Sequence, residues 1–178
     1  EMLRSLVGSE MCIRDSIIAH RSPVLDPLQC LPADYPVVSD EYLDRLQDMY
    51  VAAARLAGSA GFDGVDVKSC HRYLVSELLA SFTREGRYGG SFQNRSRFLL
   101  ETFKRISESV KGVFVTARMN AYDAIAHPYG FGVDKSDWRK PDLAEPLELA
   151  RRLAALGAPV LNVSIGNPYY NPHYGRPY

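Results

Sequence analysis

Cysteine is scarce and irregular here: Cys12, Cys30 and Cys70 are an odd number with no C-x-x-C spacing. That pattern argues against a disulfide framework and against a zinc ribbon, and makes a reducing cytoplasm the natural compartment. The four histidines (His20, His71, His127 and His173) show no H-x-x-x-H or H-E-x-x-H spacing, so no metal site is expected. Charge of one sign is also missing, because 21 Lys+Arg balance 21 Asp+Glu. A nucleic-acid or anionic-membrane binder working through bulk charge would need a basic excess. No run of about 18 apolar residues exists to span a membrane. Glycine and proline, 13 and 11 residues, are too few and too scattered for collagen or a low-complexity linker. What is present is 178 residues, 46% hydrophobic and 24% charged, about one ordinary globular domain.

Residues 1–16 (EMLRSLVGSEMCIRDS) fit neither a signal peptide nor a first structural element, because charges interrupt any apolar run. The string resembles translated sequencing-adapter DNA and is expected to be non-native or disordered. Cys12 falls inside it and carries no functional weight. The domain is expected to occupy residues 17–178.

Beyond a proline-punctuated loop, three helix–strand cycles follow. Ser39 is a plausible N-cap, with Asp40 and Glu41 in the first turn and an apolar stripe of Leu43, Leu46, Met49, Tyr50, Ala53, Leu56 and Ala57. Gly61 closes this helix and a strand opens at Gly64. Ser91 caps the second helix, whose stripe is Phe98, Leu99, Thr102, Phe103, Ile106 and Val110; Gly112 and a strand over Val113–Arg118 follow. The third helix starts near Asp142, which has capping-box spacing to Glu145, and carries Leu149, Ala150, Leu153 and Leu156 before a strand over Pro159–Ser164. Such alternation implies right-handed crossovers and a parallel sheet, with apolar runs that suit burial on both faces. Three strands leave two bare edges, so the chain reads as a slice of a larger α/β domain.

In parallel α/β folds the carboxyl ends of the strands carry the site. Lys68, His71 and Tyr73 put a cation, an imidazole and a phenol within six residues, able to hold a carbonyl oxygen and deliver a proton. They can equally be an ion-paired lysine, a satisfied loop histidine and a packed tyrosine. Arg118 ends an apolar strand and needs an anion, a carboxylate or a polar ligand; Asp66 and Asp123 are internal candidates. Gly89-Gly90 is a weak phosphate-cradle signal and a better turn signal. The aromatic tail over Asn167–Tyr174 is expected to be an irregular loop over a pocket, and Cys70 a small packed thiol.

Asp63–Leu74 (DGVDVKSCHRYL) followed by Tyr88–Phe98 (YGGSFQNRSRF) resembles the Old Yellow Enzyme family of NADH:flavin oxidoreductases. The resemblance runs from about Ile17 to Tyr178. It implies an α/β fold, a partial (β/α)8 TIM barrel, of which this chain would hold about three βα units from the middle, strands four to six. It implies FMN as cofactor and NADH or NADPH as reductant, with hydride passing from reduced flavin to an activated alkene. Lys68 and His71 would bind the substrate carbonyl, Tyr73 would donate the proton, and Arg118 would meet the flavin pyrimidine edge. Lys68 departs from the family's common histidine, and Arg72 replaces its usual glycine. The remaining flavin contacts, the phosphate site and the iron–sulfur cysteines of some relatives lie outside this slice, so this stretch alone is expected not to hold FMN tightly. Two other readings stand beside this one: a Schiff-base lyase using Lys68, and a fragment with no independent activity. The expected partner is a small-molecule substrate, not nucleic acid or membrane.

Overall fold

The computed structural model describes residues 18–174; residues 1–16, read above as foreign to the fold, lie outside the described residues, as do Ile17 and residues 175–178. The elements in order are a 3-10 turn at Pro27–Gln29, α1 (Asp40–Ser59), β1 (Gly64–Ser69), α2 (Leu74–Leu79), α3 (Phe92–Ser109), β2 (Phe114–Tyr122), α4 (Ala144–Ala155), β3 (Leu161–Ile165) and a 3-10 turn at Pro172–Tyr174. The strands form one parallel sheet in the order β1-β2-β3.

The helix starts follow from capping chemistry. Ser39 Oγ accepts from Tyr42 N and Ser91 Oγ from Asn94 N, each satisfying one of the amides a helix leaves orphaned. At α4 the expected capping box does not form. Asp142 Oδ1 accepts from Ala144 N, but Glu145 turns away to receive Nη2 of Arg95 at 2.7 and 2.9 Å. A guanidinium that is almost wholly buried outcompetes a backbone amide for that carboxylate.

The α3 stripe packs as its spacing predicts, with Phe98, Leu99, Thr102, Phe103, Ile106 and Val110 all buried. The α1 stripe differs. Its core row is Leu43, Gln47, Val51 and Ala54, while Met49 and Leu56 are exposed. Gln47 enters the core because its polar atoms are met there: Nε2 donates to Tyr88 Oη at 3.1 Å and Oε1 accepts from Arg105 at 3.1 Å. The strands do not bury both faces. Val67, Val115, Ala117 and Met119 pack into the helix layer, whereas Phe114, Val160 and Val163 are about half exposed. The opposite face carries Asp66, Lys68, Thr116 and Arg118, a pattern of period two rather than a continuous apolar run.

His20 is 2% exposed in the segment leading to α1, with Nδ1 against the Arg21 carbonyl at 3.1 Å. Burial, then the nearby Arg72 charge, lowers its pKa from 6.5 to about 4. The unfolded chain therefore binds a proton that the folded chain refuses between those values. Stability is expected to be full above pH 6.5 and to fall as pH drops through that window, by on the order of 3 kcal/mol. Denaturant unfolding at pH 7 and pH 5 checks this, and His20→Gln should flatten the difference.

Candidate active site

The register of the sheet sets the site. Lys68, Arg118 and Asn162 are Cα partners across β1, β2 and β3. Because Val67, Ala117 and Met119 turn into the helix layer, these three residues share the polar face as one row. The next row toward the carboxyl ends holds Asn120 and Ser164, with Ser164 Oγ donating to Asn120 Oδ1 at 2.5 Å. Asn120 Nδ2 in turn donates to Asp123 Oδ1 at 2.8 Å and to the Gly166 carbonyl at 2.7 Å, tying the ends of β2 and β3 together. Cys70 is buried beside Ser164, and burial raises its thiol pKa, in keeping with a packed thiol rather than a nucleophile.

Past β1 the chain reverses through two consecutive left-handed residues, His71 at φ 59 and Arg72 at φ 56. The conformation disfavours a Cβ, which suits the glycine that the resemblance leads one to expect at the second position. Arg72 keeps the left-handed path. Tyr73 then occupies the N-cap position of α2, its ring partly exposed. The Lys68 ammonium lies over that ring, with Nζ 3.6 Å from the centroid. The His71 imidazole is held below its usual pKa by burial first, then by the charges of Lys68 and Arg118, and is therefore neutral at pH 7. Lys68, His71, Tyr73 and Arg118 gather at one end of the sheet.

Arg118 is the member with an unmet need. Its Nε is buried without a hydrogen-bond partner, and among the described residues no carboxylate forms a salt bridge with it. Neither internal acid serves: the buried Asp123 instead accepts from Asn120 and from Phe131 N at 2.8 Å. A buried donor left without an acceptor costs about 1–3 kcal/mol. A ligand presenting a ring carbonyl or ring nitrogen would satisfy it, and the pyrimidine edge of a flavin has both. The residues present fit such a group.

Other motif residues build the scaffold. Tyr88 Oη donates to Asp44 Oδ1 at 2.5 Å, and Phe98 is fully buried. Arg95 donates to the Gly90 carbonyl and lies 3.6 Å from the centroid of Phe82. The Gly89-Gly90 pair is a turn: the Gly90 amide donates to the Ser81 carbonyl, and a Cβ at Gly89 would stand 2.2 Å from the Arg84 carbonyl oxygen. In the aromatic tail Asn171 Nδ2 donates to the carbonyls of Asp123 and Ala124, holding the loop over the strand ends. Asn162 and Asn120 were not singled out from sequence. Asn120 carried a signal, a polar residue two positions after Arg118 on the same strand face, whereas the β3 strand around Asn162 has no charged position to mark its face.

The chain superposes on an old yellow enzyme homologue from Zymomonas mobilis with a TM-score of 0.59 and 25% identity, over 74% of this chain and 35% of that one. Fold and site thus define part of a (β/α)8 barrel with its ligand mouth at the strand carboxyl ends. The sequence profile of the NADH:flavin oxidoreductase / NADH oxidase family matches residues 32–135, more than half of the chain, and the chain belongs to that family. It is 36% identical over 106 residues to dimethylamine dehydrogenase of Hyphomicrobium sp. (strain x), covering 58% of this chain and 14% of that protein. It is 31% identical over 126 residues to NADH oxidase of Thermoanaerobacter brockii, covering 70% of this chain and 18% of that protein. The chain thus spans less than a quarter of the length of these two relatives.

Proposed function

We propose that this chain supplies the acceptor-binding and proton-donating residues of an FMN-dependent NAD(P)H oxidoreductase acting on activated alkenes. The observation that carries the reading is the unpartnered, buried Arg118 Nε, in the same row as Lys68, whose ammonium covers the Tyr73 ring, and near enough to His71 for its charge to lower that imidazole's pKa. FMN, when bound, would supply the hydride-transfer chemistry between NAD(P)H and the alkene. Arg118 would hold the pyrimidine edge of that cofactor through its unpartnered Nε. Lys68 and His71 donate hydrogen bonds to the acceptor carbonyl oxygen, where negative charge develops as hydride arrives. Tyr73 gives its phenolic proton to the α-carbon and recovers one from solvent. The balance is NAD(P)H, a proton and the alkene giving NAD(P)+ and the saturated product.

No helix among the described residues is long and apolar enough to cross a membrane. Free Cys30 and Cys70 suit a cytoplasmic setting. A Schiff-base role for Lys68 is not favoured by the flavin-dependent family to which the chain belongs. The test uses the intact protein that carries this chain, without oxygen. NAD(P)H should bleach the flavin, and an α,β-unsaturated ketone or aldehyde should restore its colour. Bleaching that no activated alkene reverses removes the alkene-reduction reading.

A further inference from the structure

We infer that Arg72 is a positioning residue: it clamps the loop that presents His71 and Tyr73 to the acceptor, an inference that rests on the function proposed above. Its backbone adopts the left-handed conformation that glycine reaches without strain, so the side chain persists against a local preference. That side chain is 5% exposed and lies behind the site, between two acids from different parts of the chain. Nε is 3.3 Å from Glu77 Oε1 on α2, and Nη2 is 3.7 Å from Asp26 Oδ1 on the segment before α1.

Both acids are anchored in turn. Glu77 Oε2 accepts from Ala19 N at 2.7 Å, and Asp26 Oδ2 pairs with Arg21 Nε at 2.8 Å. Arg72 therefore joins three pieces, the loop after β1, the start of α2 and the 18–26 segment, into one charged cluster. Asp123 at the end of β2 also feels its charge. A cavity of about 10 Å³ lined by Arg72, Glu77, Asp123 and Asn167 has room for about one water. Arg72 Nε, Arg72 Nη2 and Asp26 Oδ1 are the buried polar atoms such a water would serve. A glycine at this position gives the same turn with nothing to hold it, whereas arginine fixes the turn from behind.

Two variants of the intact protein test this. Arg72→Gly keeps the backbone conformation accessible and removes the clamp. Hydrogen exchange at the amides of residues 70–74 is expected to accelerate about tenfold or more, with the rest of the sheet unchanged. The kcat/KM for the alkene is expected to fall about tenfold, while flavin reduction by NAD(P)H changes by less than about twofold. Arg72→Lys should recover part of both effects. Should Arg72→Gly fail to fold, Glu77→Gln loosens the same clamp isosterically and should move the same amides. Wild-type exchange and alkene kinetics in Arg72→Gly overturn the inference, as does exchange that quickens uniformly over the whole chain. Selective loosening at 70–74 in a protein whose wild type reduces no alkene upholds the clamp and overturns the function instead.

Discussion

Tyr73→Phe in the intact protein is expected to slow reduction of the alkene by about 10²–10⁴-fold, the usual worth of a positioned proton donor. Phenylalanine keeps the ring on which Lys68 Nζ rests and keeps the partly exposed surface of the tyrosine. Stability should therefore move by less than about 0.5 kcal/mol. Flavin reduction by NAD(P)H needs no proton at the acceptor α-carbon, so that half-reaction should keep its rate. Stopped-flow measurement of the two half-reactions separates the effects. Equal slowing of both would mean that Tyr73 shapes the pocket rather than supplying a proton.

Arg118→Met should act on the cofactor side of the same site. Removing the guanidinium takes away the buried Nε donor and the positive charge proposed to face the flavin edge, and flavin-dependent turnover is expected to fall about 10²–10³-fold. Arg118→Lys should recover little, since an ammonium has no counterpart to a forked, planar donor set. The flavin-free protein should respond the other way. There Arg118 is a partly buried cation with no carboxylate paired to it among the described residues, so an apolar isostere is expected to leave its stability unchanged or higher. Titration with FMN and thermal unfolding with and without it read the two signs. A loss of stability in the flavin-free state would mean that Arg118 holds the fold together.

Much of this was readable along the chain. Ser39 and Ser91 announce α1 and α3, and the Phe98-to-Val110 stripe packs as its spacing requires. Lys68, His71, Tyr73 and Arg118 were marked by their place at strand ends. The misses have physical causes. The helix α2 is six residues long and buried on nearly every side, so it shows no amphipathic period. In α1 the core row runs through Gln47, whose burial depends on Tyr88 and Arg105, more than forty residues away in sequence. Asp142 and Glu145 have the spacing of a capping box, but spacing cannot show that Arg95 claims the glutamate. Arg72 was noted only as a departure from glycine. Its use depends on Asp26 and Glu77 meeting it in space.

The most direct trial is to run the intact protein with NAD(P)H deuterated at the transferable C4 position, in ordinary water, on an activated alkene. Hydride passage through this mouth predicts deuterium at the product β-carbon and a solvent-derived hydrogen at the α-carbon, with the second step lost in Tyr73→Phe. Product without deuterium at the β-carbon, or a borohydride-stable adduct on Lys68 formed without flavin, would contradict it.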